Sequence, residues 1–104
     1  MPINSREKGK RGERELAAFL NAAGHNTRRG QQFKGGPESP DVVGLPGFHL
    51  EVKRTESLSI YKAMDQAISE AAPGNIPLVM HKRNRKDWLV VLSLKDFLSM
   101  LGKL

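Results

Sequence analysis

SPDVVGLPGFHLEVKRTE, residues Ser39 to Glu56, decides how the rest of the chain is read. From Phe48 to Arg54 polar and apolar residues alternate with the period of a half-buried strand. His49, Glu51 and Lys53 therefore share one side, and Leu50 and Val52 the other. Asp41 to Leu45 reads as the preceding strand, joined through a tight turn at Pro46-Gly47. With Leu50 and Val52 in the core, the three polar residues line a common surface, and the turn can fold Asp41 back beside Glu51. Two carboxylates at close range repel unless a divalent cation joins them, and hard oxygen ligands favour Mg²⁺ or Mn²⁺. Lys53 adds a point charge able to position a water or stabilise a developing oxyanion. The competing reading is a surface ion pair, which Glu-x-Lys commonly forms and which stabilises little.

Working outward, Lys8 to Ala23 has a helical pattern, with Leu16, Phe19, Leu20 and Ala23 on one stripe and Gly24 as the stop. Glu13 flanks that stripe on the Leu20 side and Glu15 on the Phe19 side, so geometry does not choose which leans toward a site. Asn26 to Arg29 reads as a short strand. Gly30 to Pro40, GQQFKGGPESP, is an aperiodic loop of a length more often functional than idle. After Glu56, Ser57 or Ser59 caps a second helix running to about Ala72, with Ile60, Met64, Ala67, Ile68 and Ala71 as its apolar stripe and Pro73-Gly74 ending it. Pro77 to His81 and Asp87 to Leu92 read as strands. Ser93 with Asp96 caps a last helix carrying Leu94, Phe97, Leu98 and Leu101. The order α-β-β-β-α-β-β-α predicts a layered α/β fold with a mixed sheet.

A chain of 104 residues suits a single domain spanning residues 1–104, with one modest core. Seventeen Lys and Arg against eleven Asp and Glu leave a net charge of +6, which points to a polyanionic partner, nucleic acid before others. The absence of cysteine excludes disulfides and Cys-based zinc sites and fits a reducing compartment. The longest apolar run, Trp88 to Leu92, is too short to span a bilayer, and the charged N-terminus has no signal-like stretch. A soluble, cytoplasmic protein without a membrane partner is expected.

Three stretches together carry a resemblance: Lys8-Gly9-Lys10-Arg11-Gly12-Glu13-Arg14-Glu15-Leu16, then Ser39-Pro40-Asp41-Val42-Val43, then Leu50-Glu51-Val52-Lys53. In that order they resemble the PD-(D/E)xK nuclease superfamily, and within it the small Holliday junction resolvase branch and its phage-encoded relatives. The likeness covers about Lys8 to Ala72. It implies a restriction-endonuclease-like fold, a central mixed sheet flanked by helices, in a prokaryotic cell or phage-infected host. By position it makes Asp41 and Glu51 metal ligands, with the Val52 carbonyl a third, and Lys53 the catalytic lysine. It also selects Glu13 over Glu15 as the helix glutamate of the site, with Arg14 beside it as a phosphate contact. The implied reaction is Mg²⁺-assisted hydrolysis of a phosphodiester, with Mn²⁺ substituting, leaving a 5′-phosphate and a 3′-hydroxyl. Branched DNA and a homodimer follow for a junction resolvase, because paired nicks are placed symmetrically.

Three basic groups could hold a DNA backbone. Lys8, Lys10, Arg11 and Arg14 lie on the first helix, where Gly9 and Gly12 would permit close approach. Arg28, Arg29 and Lys34 flank or occupy the long loop. Lys82, Arg83, Arg85 and Lys86 form the densest cluster, at the last hairpin. For each, a solvated charged face is the plainer reading. His49 reads as an exposed strand histidine and Gln66 as a surface glutamine that could reach the site, while Trp88 suits core or interface. Two other functions fit: a nuclease of the same fold acting on flaps, nicks or duplex, and a non-catalytic nucleic-acid-binding module.

Overall fold

The computed structural model describes residues 5–30 and 40–102, and side chains from residue 9 onward. Lys34, most of the Gly30–Pro40 loop and the Lys8 side chain lie outside that description. Among the described residues eight elements follow in the expected order: α1 (Ser5–Ala22), β1 (Arg28–Arg29), β2 (Val42–Val43), β3 (Phe48–Arg54), α2 (Ile60–Glu70), β4 (Ile76–Lys82), β5 (Leu89–Val91) and α3 (Leu94–Met100). The strands form one mixed sheet in the order β1-β2-β3-β4-β5. β3 and β4 are parallel, with α2 as their crossover, and every other pairing is antiparallel. This is an α/β architecture consistent with the restriction-endonuclease-like fold.

β3 is central, so helices cover both of its faces. On one face Leu16 and Ala17 of α1 bury against Val42, Leu50, Leu78 and Met80. On the other, Ala63, Met64 and Ala67 of α2 bury against Val79. The α2 stripe is thus narrower than its apolar periodicity implies: Ile60 and Ile68 are exposed, and small residues let the helix settle close to the sheet. Ser59 is the N-cap residue of α2 but its side chain makes no capping bond, whereas Ser93 accepts from the Asp96 N–H at 3.1 Å at the start of α3.

Gly12 serves packing rather than an approach to phosphate. A Cβ there would stand 2.6 Å from the Arg54 Cβ, so its smallness lets α1 cross β3. The return from α1 to β1 is fastened at Thr27. Its hydroxyl donates to the Ala17 carbonyl at 3.1 Å, and its N–H donates to Asn21 Oδ1 at 2.6 Å. α3 contributes no buried residue, and Leu94, Phe97, Met100 and Leu101 are exposed. No described helix is long and apolar enough to cross a membrane.

Candidate active site

Asp41 is held across β3 by two backbone bonds. Its N–H donates to the Leu50 carbonyl at 2.9 Å, and its Oδ2 accepts from the Val52 N–H at 2.8 Å. Those two groups flank Glu51, so the short hairpin sets Asp41 opposite it. The Val52 carbonyl proposed as a ligand belongs to the same backbone segment.

His49, Glu51 and Lys53 do share a face, but α2 closes over it. His49 and Glu51 are 1% and 2% exposed, so the histidine is buried rather than solvent-facing. His49 Nε2 lies 3.0 Å from Glu51 Oε1. Lys53 Nζ donates to Gln66 Oε1 at 2.8 Å, and Gln66 Nε2 approaches Glu70 Oε1 at 3.4 Å. Glu70 in turn hydrogen-bonds Glu51. One turn of α2 therefore ties the lysine and the glutamate of the Glu-Val-Lys strand together.

Glu13 and Glu15 are sent to different places. Glu13 accepts from Arg29 Nε at 2.9 Å and is near enough to Asp41 for that charge to act on it. Glu15 instead accepts from Arg54 Nε at 2.9 Å and pairs with Lys82 at 3.5 Å, away from the polar face. Lys82 is thus occupied on the α1 side of the sheet. Lys10 is half-buried, while Arg11, Arg14, Arg28, Arg83, Arg85 and Lys86 are exposed. Arg29, expected only as a backbone contact, is also the counter-charge of Glu13.

Burial dominates the electrostatics. The Glu51 carboxyl is pushed up from 4.5 to about 9, first by loss of water, then by its bond to Glu70 and the charges of Asp41 and Glu70, against the opposing pull of Lys53. Burial likewise raises Glu13, with the Arg29 bond working against it, and lowers His49. At neutral pH the His49–Glu51 contact is accordingly a hydrogen bond between a neutral imidazole and a protonated carboxyl, not an ion pair.

The donors fit a divalent cation. Glu51 retains its proton against the pull of Lys53, and a cation bound beside it can replace that proton. His49, Glu51 and Glu70 offer ligand atoms within 4.8 Å of one another and could hold a metal ion. Asp41 is not one of those three, and its Oδ2 accepts from the Val52 N–H. Glu70 escaped sequence reading because its partner is a strand residue reached only through the parallel crossover. Its one signal was the i, i+4 spacing from Gln66.

A stability measurement tests this charge arrangement. The native state keeps a proton on Glu51 that the unfolded chain releases near 4.5, so its contribution is full below that pH and lost as pH rises through about 9. Glu13 acts in the same direction. His49 acts oppositely, but its window closes near 6.5. In chelator, the melting temperature is therefore expected to fall between about pH 6.5 and 9, and Glu51→Gln to flatten that slope. An identical slope in the variant would contradict the assignment.

No curated protein and no solved structure matches the chain. A family model does, over residues 4–103, under the description "Phage putative PDDEXK endonuclease". That span takes in α1 with Glu13, the Pro40-Asp41 pair, the Glu51-Val52-Lys53 strand and both remaining helices. By this match the chain belongs to the phage PDDEXK endonuclease family.

Proposed function

We propose that residues 1–104 act as a single metal-dependent DNA endonuclease domain that nicks branched DNA, four-way junctions foremost. The observation carrying this reading is the clamp of Asp41 across Glu51, with Lys53 two residues on and tied to α2. Asp41 and Glu51, with the Val52 carbonyl, would hold Mg²⁺ or Mn²⁺, which when bound acidifies a water and takes up charge on phosphate oxygens. Lys53 offers its ammonium to the developing oxyanion, and Glu13, offset by Arg29, completes the acidic wall. Attack of water on phosphorus breaks the bond to the 3′ oxygen, which leaves as the hydroxyl after taking a proton, and the other fragment keeps the 5′-phosphate.

Lys8, Lys10, Arg11 and Arg14 on α1, Arg28 and Arg29 on β1, Lys34 in the loop, and Lys82, Arg83, Arg85 and Lys86 at the hairpin would track the backbone. They read phosphate rather than base edges, which suits recognition of structure over sequence. A second copy of the chain supplies the paired nick, and the exposed apolar residues of α3 support such an assembly. A binding-only module would have no use for carboxylates beside a phosphate track, where they repel the ligand.

End-labelled four-way junction, flap and linear duplex, incubated with Mg²⁺ or Mn²⁺, test the reading, with Asp41→Asn and chelator as controls. Symmetric paired nicks in the junction, lost in both controls, are expected. Equal cleavage of all three substrates would keep the nuclease and discard the junction preference. Tight binding without cleavage would make the binding module the better reading.

A further inference from the structure

The row of residues that begins at Lys53 does not end there. Lys53 pairs with His81 on β4, and His81 with Leu89 on β5, so all three stand on the α2 side of the sheet. Neighbouring strands lie about 4.8 Å apart, which puts Leu89 roughly 10 Å from Lys53 across the sheet. At the far end of this row a cavity of about 310 Å³ opens, lined by His81, Arg83, Lys86, Asp87 and Leu89. A smaller one of about 180 Å³ adjoins Lys53 itself, with Lys62 and Gln66 on its wall.

The outer cavity is held in shape by bonds that the catalytic face does not use. His81 Nε2 is engaged at 2.9 Å by the Thr55 carbonyl, which fixes the ring. The hairpin turn is closed by the Lys86 N–H on the Arg83 carbonyl at 3.2 Å, and Glu56 Oε2 accepts from the Asn84 N–H at 2.6 Å. Arg85 takes a left-handed conformation within it, φ 59°. Leu89, 57% exposed, lies open on the wall rather than in the core.

We propose that this cavity receives an unpaired nucleobase of the DNA strand, a subsite that rests on the nuclease reading above and narrows its substrate to DNA with a base free of the stack. Asp87 decides the class of occupant. A carboxylate among the lining residues repels a phosphate, but it accepts hydrogen bonds from the exocyclic amines of adenine, guanine or cytosine. The flat imidazole of His81 and the Leu89 side chain provide the stacking and apolar surfaces that an unpaired base uses. Arg83 and Lys86 are placed to hold the phosphates on either side. A base still paired in duplex cannot enter, so strands near a branch or flap are favoured. The separation from Lys53 places the received base within about three nucleotides of the scissile phosphate.

An abasic scan tests it. A single abasic residue is moved along the single-stranded arm of a labelled flap, and binding is read by fluorescence anisotropy in chelator, so that no cleavage is needed. One position is expected to weaken binding about fivefold or more, with its neighbours far less affected. Leu89→Gln and Asp87→Asn, both at exposed positions, should each blunt that sensitivity. A flat scan, or a scan unchanged in both variants, would overturn the subsite. The same substrates incubated with Mg²⁺ separate the two readings: a sensitive position without cleavage keeps the pocket and removes the nuclease, and cleavage with a flat scan does the reverse.

Discussion

Glu51→Gln is expected to reduce phosphodiester cleavage by about a thousandfold or more, a loss of the size seen when a group serving the transition state is removed. The substitution is unusually clean. Glu51 is protonated at neutral pH in the metal-free protein, so the amide replaces a neutral group of the same shape. Folding should therefore be preserved or improved. DNA binding in chelator should hold, because a neutral carboxyl is replaced by a neutral amide. Single-turnover cleavage with excess protein, together with anisotropy in chelator, reads both quantities. Cleavage within tenfold of the wild type would remove Glu51 from the machinery. Lys53→Met is a useful companion, since it empties the ammonium position and leaves Gln66 without its donor.

The second large effect concerns stability. Gly44 has φ +120°, and a Cβ there would stand 2.3 Å from the Asn26 carbonyl oxygen and 2.8 Å from the Thr27 Cα. Both are backbone atoms of the segment that Thr27 fastens to α1, so neither can swing aside. Gly44→Ala is expected to destabilise the fold by about 3 kcal/mol or more, combining backbone strain with overpacking. Gly47 supplies the comparison. It also has positive φ, +87°, yet a Cβ there meets nothing within 4 Å, so Gly47→Ala should cost only about 1–2 kcal/mol. Urea unfolding of the two variants separates crowding from conformation, and equal midpoints would show that the Asn26–Thr27 contact does not resist. Because β1 carries Arg29, the Gly44 variant should also disturb Glu13.

How far the sequence could be read depended on whether a feature was local. The alternation from Phe48 to Arg54 predicts β3 to the residue, because one strand's period is written in consecutive positions. The Ser93–Asp96 cap is equally local. The α2 stripe departs from its apolar periodicity because counting apolar residues assumes that the buried side of a helix is apolar. Here Gln66 and Glu70 turn toward the strand, and Ile60 and Ile68 are left exposed. The expectation of an exposed His49 fails for the same reason: nothing near it in the chain shows that Glu51 will satisfy it in a covered site. Glu13 and Glu15 could not be separated by periodicity, since their partners, Arg29 and Arg54, are supplied by different strands.

The two rims of the sheet differ in a way that bears on assembly. β1, at one rim, is two residues long and consists of Arg28 and Arg29. Short, charged edges discourage strand-to-strand docking. β5, at the opposite rim, presents exposed Leu89 and Val90. An edge-to-edge pairing through β5 would use up the rim that formed it, so it would close at two chains and leave no free end from which a filament could grow.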